Sequence, residues 1–137
     1  MGGPVGIRAL VPQDILLRAL RNAKDVKELS FAFMLRDNER ATGLSVNFDQ
    51  TPAQCQAGFR CTYGVASLTV QSVADAASET NQALQTDLAL QVVPDEPNHA
   101  NITGVPHKDD NPVCAERLAS ELARLATLAS NAKVDNR

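Results

Sequence analysis

Asn111-Pro-Val-Cys-Ala-Glu-Arg-Leu-Ala-Ser-Glu-Leu-Ala-Arg-Leu-Ala-Thr-Leu-Ala-Ser-Asn131 is the stretch that decides the fold. Asn111 is a good N-cap, since its side chain can accept from a free first-turn N–H. Pro112 is a good first helical residue, because the donor it lacks has no partner there anyway. Ala115, Leu118, Ala119, Leu122, Leu125, Ala126 and Ala129 recur on one face at helical spacing, and Asn131 marks a stop. A helix over 112–130 with one apolar stripe needs a surface to cover, and the expected surface is a sheet of the same domain. A partner-binding face is the less favoured use of the stripe.

Strand signals supply that sheet. Gly43-Leu-Ser-Val-Asn-Phe48 alternates apolar and polar residues, the pattern of a half-buried strand. Tyr63-Gly-Val-Ala-Ser-Leu-Thr-Val70, Leu88-Ala-Leu-Gln-Val-Val93 and a short run from Asn98 to Val105 read as further strands. Leu29-Ser-Phe-Ala-Phe-Met-Leu35 is too short for period alone to separate strand from buried helix, and 36–40 is a polar turn. A helix is expected over 13–23, with Ile15, Leu16, Ala19, Leu20 and Ala23 on one face and Arg18, Arg21 and Lys24 largely away from it. Thr51-Pro52 opens a short helix over 52–57 that stops at Gly58, and Thr69 caps one over 70–78, followed by a polar linker over 78–84. The expected fold is α+β: a single small domain with a short mixed or antiparallel sheet packed against the C-terminal amphipathic helix and shorter helices. Residues 1–12 are expected to be a flexible arm, 13–131 the domain and 132–137 a disordered tail.

Composition narrows the function classes. At 137 residues the chain can bury a core without a metal or disulfide staple. With 4% aromatic residues that core must be aliphatic. A net charge of −3 makes direct nucleic-acid contact unexpected, since such binders need cation-rich surfaces. The charge is uneven: 8–40 is mildly basic and 87–110 acidic, which suits steering of a partner. No apolar run approaches a membrane span. Three cysteines, Cys55, Cys61 and Cys114, and no signal-type opening lead us to expect free thiols in the cytoplasm.

The chemistry concentrates in 92–107, which holds both histidines, His99 and His107, and three of the seven prolines. An acid near an imidazole fixes its orientation, and Asp95 and Glu96 precede His99. The preferred reading keeps His99 structural, its ring bonding a backbone carbonyl and locking the loop. His107 is expected as an exposed loop residue. The spacings Cys-x5-Cys and His-x7-His match no common zinc pattern, so no metal and no cofactor are expected. Ser45 opens like a nucleophile elbow but lacks the closing Gly, and reads as an outward strand residue.

Gly43-Leu-Ser-Val46, Tyr63-Gly-Val-Ala-Ser-Leu-Thr-Val70 and Pro94-Asp-Glu-Pro-Asn-His99-Ala-Asn-Ile102-Thr-Gly104 together resemble a family of small uncharacterised bacterial proteins. These share a Gly-Leu-Ser-Val strand and a Pro-rich loop leading to His-Ala-x-Ile-x-Gly. The resemblance covers 29–106, and with no activity attached to that family it implies no catalytic role.

Two functions are expected from these readings. The favoured one is a non-enzymatic binding or accessory protein, antitoxin-like or a defence-system subunit, that docks a larger protein or a second copy of itself. Its docking surface would be the helix 112–130 or the acidic loop, with Asp95, Glu96, Asn98, His99, Asn101 and His107 as binding residues. The alternative is a small enzyme acting on a nucleotide or phosphate-containing substrate. There His99 is the general acid/base, Arg36 or Arg60 holds the anion by its planar fork, and Ser45 or Thr103 orients it.

Overall fold

The computed structural model describes residues 7–136. In chain order the elements are β1 (Ile15–Leu20), α1 (Ala23–Lys27), 3-10 turns at Leu29–Phe33 and Asp37–Glu39, β2 (Leu44–Phe48), α2 (Pro52–Ala57), β3 (Cys61–Thr62), β4 (Gly64–Thr69), α3 (Val70–Leu84), β5 (Gln91–Glu96), β6 (His99–Thr103), α4 (Pro112–Leu125), β7 (Thr127–Ser130) and β8 (Val134–Asp135). Six strands form one sheet in the order β5-β6-β2-β1-β4-β7, antiparallel at every pairing, and β3 and β8 form a separate pair. The α+β single-domain fold expected from the sequence is the one observed.

Strand alternation sorts the side chains. Leu44, Val46 and Phe48 of β2 and Ala100 and Ile102 of β6 enter one core with Leu16 and Leu20. Val73 and Ala76 of α3 and Leu118, Ala119 and Leu122 of α4 close that core from the other side. Each fully buried Leu there contributes about 1.5–3 kcal/mol of transfer free energy. The apolar stripe of α4 is therefore core and not a docking face. On the opposite face of the sheet, α2 and the loop after it bring Cys55 and Phe59 against Leu17 and Val65. The same alternation puts Ser45, Asn47, His99 and Asn101, all half-buried, on this second face.

Several expected elements differ from those observed. The helix expected over 13–23 is strand β1, flanked by β2 and β4 and buried on both faces from Leu16 to Leu20. A strand buried on both sides shows no alternation, and its apolar residues mimic helical spacing. Helix α3 continues through 78–84, the expected linker, and ends at Gln85, whose φ is +56°. Helix α4 stops at Leu125, because Ala126 is extended and leads into β7 on the edge beside β4. The expected tail at 132–137 carries β8, paired with β3, and the Asn136 amide donates to the Gln56 and Phe59 carbonyls. Of the expected arm at 1–12, residues 1–6 lie outside the described residues. Residues 7–12 are held by Arg8, which donates to both Asp14 and Asp49, and by the Pro12 carbonyl, which accepts from Gln71.

Among the described residues no helix is long and apolar enough to cross a membrane. All three cysteines are free, and burial pushes the Cys55 thiol up to about 11, a value that leaves it protonated and inert.

Candidate active site

The β5–β6 hairpin turns at Pro97-Asn98. Asn98 takes a left-handed conformation, φ +72°. Its amide donates to the Phe48 and Asp49 carbonyls, and its own carbonyl accepts from Phe48 N–H. Asn98, expected as a binding residue, thus pins the hairpin to the end of β2. The resulting register sets Asn47 against His99 and Ser45 against Asn101.

That register assembles a relay. Ser45 Oγ lies 2.6 Å from His99 Nε2, and His99 Nδ1 lies 2.6 Å from Asp95 Oδ1. The Asn101 amide donates to the other carboxylate oxygen of Asp95 at 3.0 Å. An ionised carboxylate only accepts, so Nδ1 carries the proton toward Asp95 and Nε2 is left to accept from the Ser45 hydroxyl. Burial acts to raise the Asp95 carboxyl, but the bonds from His99 and the Asn101 amide outweigh it and hold the group below its ordinary value. The ring meets a hydroxyl and a carboxylate rather than the backbone carbonyl expected for a structural histidine.

The main chain of Ser45 is held as firmly as its side chain. Strands β1 and β2 pair only at Leu16/Phe48 and Leu17/Asn47. Beyond that point a buried ion pair replaces the ladder. Arg18 and Glu39 meet at 2.6 and 3.1 Å, and Arg18 is 1% exposed. Glu39 accepts from the Ser45 N–H at 2.9 Å, and Arg18 donates to the Ser45 carbonyl at 2.8 Å. Arg18 Nε donates to the Ala32 carbonyl, and Glu39 also accepts from the Arg36 N–H. Burial tends to raise the Glu39 carboxyl, yet Arg18 and the two N–H donors overcome it and hold the group lowered.

Ser45 and His99 open into a cavity of about 290 Å³, also lined by Arg21, Arg36, Asn47 and Phe59. This is near the lower end of the range for small-molecule sites. Arg36 is half-buried, and among the described residues no hydrogen-bond or ion-pair partner meets its guanidinium. Burial, followed by repulsion from Arg18, brings it down to about 10. Arg21 lies over the Phe59 ring at 5.0 Å. A larger cleft of about 700 Å³ shares Arg36 but is lined by neither histidine.

The remaining expected residues lie elsewhere. Glu96 is exposed, opposite His99 in register. Arg60 is exposed and does not line the cavity, and Thr103 Oγ1 donates to the Gln91 carbonyl. His107, expected as exposed, is 2% exposed. Its Nδ1 accepts from the Asp109 N–H and its Nε2 meets Asp37 at 2.8 Å. Asp37, His107 and Asp109 have metal-ligating atoms within 4.8 Å of one another, but both ring nitrogens are already engaged, so the ring acts as a loop staple. Sequence reasoning missed Arg18, Arg21, Glu39 and Asn47. The one available signal was Arg18, a charge inside an otherwise apolar strand.

No protein-family model, no curated protein and no solved structure matches this chain.

Proposed function

We propose that this protein is an enzyme that cleaves an ester-type bond through Ser45, with His99 as general base and Asp95 as the group that orients it. The observation that carries the reading is the Ser45–His99–Asp95 relay, at 2.6 and 2.6 Å, opening into a cavity. The nitrogens are used as a nucleophile–base–carboxylate system requires: Nε2 to the hydroxyl, Nδ1 to the acid. Ser45 Oγ attacks the substrate carbonyl carbon while His99 Nε2 takes the hydroxyl proton. The tetrahedral intermediate collapses, the C–O bond to the leaving group breaks, and His99 returns the proton to that oxygen. Water, activated by His99, then hydrolyses the acyl-serine. The Ser45 N–H is engaged by Glu39 and does not serve the oxyanion. Asn47, two residues along the same face and lining the same cavity, supplies an amide for that role.

A fluorophosphonate probe tests this directly. Ser45 should be the labelled residue by mass spectrometry, and His99→Ala or Asp95→Asn should slow labelling by about 10²- to 10⁴-fold. A folded protein in which Ser45 stays unlabelled overturns the reading.

A second reading, the accessory protein that docks a larger partner, is supported by the sheet edge. Strand β5 has a free edge, Val93 on it is 42% exposed, and its hairpin is acidic. A charge at Val93 should then abolish co-purification of a host protein while leaving the unfolding midpoint unchanged, and co-purification that survives the charge overturns this reading.

A further inference from the structure

We infer that the substrate carries an anionic group, a phosphate or a carboxylate, held by Arg36 beside the reacting bond; this rests on the reading of Ser45 and His99 as the reaction centre. Arg36 lines the same cavity as both. A guanidinium stays charged, and a half-buried one needs a counter-charge. The acids whose charge acts on Arg36, Glu39 and Asp25, and the acid that shares its cavity, Asp95, are already committed. Glu39 is spent on Arg18, the Ser45 N–H and the Arg36 N–H. Asp25 is 2% exposed, and its Oδ2 accepts from the Arg21 and Asn22 N–H groups. Asp95 is spent on His99 and Asn101.

Arg21 adds a second cation, its guanidinium stacked on Phe59 and meeting no carboxylate among the described residues. Of the three arginines lining the cavity only Arg18 is paired with a carboxylate, so against Glu39 and Asp95 the lining keeps an excess of positive charge in a chain of net charge −3. Such a wall selects an anion and steers its approach. The planar fork of Arg36 suits two oxygens of one phosphate or carboxylate. Because Arg36, Ser45 and His99 line one cavity of about 290 Å³, the anion and the scissile bond belong to the same small molecule.

The test uses the whole chain with inorganic phosphate and with succinate, the two arms separating phosphate from carboxylate. Binding is followed by calorimetry and by chemical shifts of the His99 ring. At least one anion should bind the wild type, perturb His99 and slow fluorophosphonate labelling of Ser45. Arg36→Met should weaken binding about ten- to a hundredfold, and Arg36→Lys should recover part of it. Absence of binding by both anions, or binding that Arg36→Met leaves unchanged, overturns the inference. Ser45 labelling in the absence of anion reports the reaction centre separately. A labelled Ser45 with no anion binding defeats this inference alone. Anion binding at Arg36 with an inert Ser45 defeats the reaction and leaves an anion-binding site.

Discussion

Glu39 is the residue on which the site's rigidity depends. Its two oxygens accept from Arg18 twice, from the Arg36 N–H and from the Ser45 N–H. Removing its charge strands the Arg18 cation in the core. A buried pair broken on one side costs about 3–5 kcal/mol, while replacing both partners by apolar residues costs much less. Glu39→Gln should therefore lose roughly that much stability in urea unfolding, a large part of what a small domain has. The double variant Arg18→Met/Glu39→Met should be more stable than Glu39→Gln alone. Equal stability of wild type and Glu39→Gln would show that the pair carries no energetic weight. Because the Glu39 carboxyl is lowered in the fold, its contribution is present above the ordinary Glu value and fades as pH falls through the folded one. Glu39→Gln should thus differ most from wild type near neutral pH.

The elements matter through register. Ser45 and His99 are 54 residues apart and meet only because β2 and β6 pair with Asn47 against His99. Gly43 sets the start of that pairing. Its φ is +117°, and a Cβ there would lie 2.7 Å from the Ile102 carbonyl oxygen in β6. Gly43→Ala should cost at least about 1–3 kcal/mol for the backbone strain alone and slow Ser45 labelling as the strands shift. Unchanged labelling at reduced stability would uncouple the register from the relay. The same dependence explains what could be read from the chain. Alternation at 44–48 and the caps at Thr51, Thr69 and Asn111 are local signals, and each is realised. Strand β1 is set by two neighbouring strands and two covered faces, none of them local, so its leucines read as a helix. Of the site, the nearness of Asp95 to His99 is visible within the hairpin. Ser45 could be placed on an outward face, but its meeting with His99 is a fact of pairing. His107 looked exposed because its partner Asp37 is 70 residues away.

At the scale of the molecule, one arginine ties the open end of the sheet together. Arg8 donates to Asp14, just before β1, and to Asp49, just after β2, in four bonds of 2.7–2.9 Å. It also lies 5.5 Å over the Phe48 ring. Asp49 is where the Asn98 amide docks the β5–β6 hairpin, so the N-terminal segment, both central strands and the hairpin of the candidate site converge there. The bonds from Arg8, helped by the Val11 N–H, lower the Asp14 carboxyl to about 2, and Arg8 lowers Asp49 as well. Carboxyls lowered in the fold stabilise it above their unfolded value, near 4, and cease to do so as pH falls through the folded values. Arg8→Met removes the largest cause of both shifts and leaves Asp14 only its bond from the Val11 N–H. Wild type should therefore be more stable than Arg8→Met at pH 7, and the gap should close between about pH 4 and pH 2. Added salt at pH 7 should shrink the gap too, since these groups are partly exposed and screening acts on them. Unfolding midpoints of the two proteins across that pH range decide the matter. A gap undiminished at pH 2 would mean that Arg8 works through its packing on Phe48 and not through the two carboxylates.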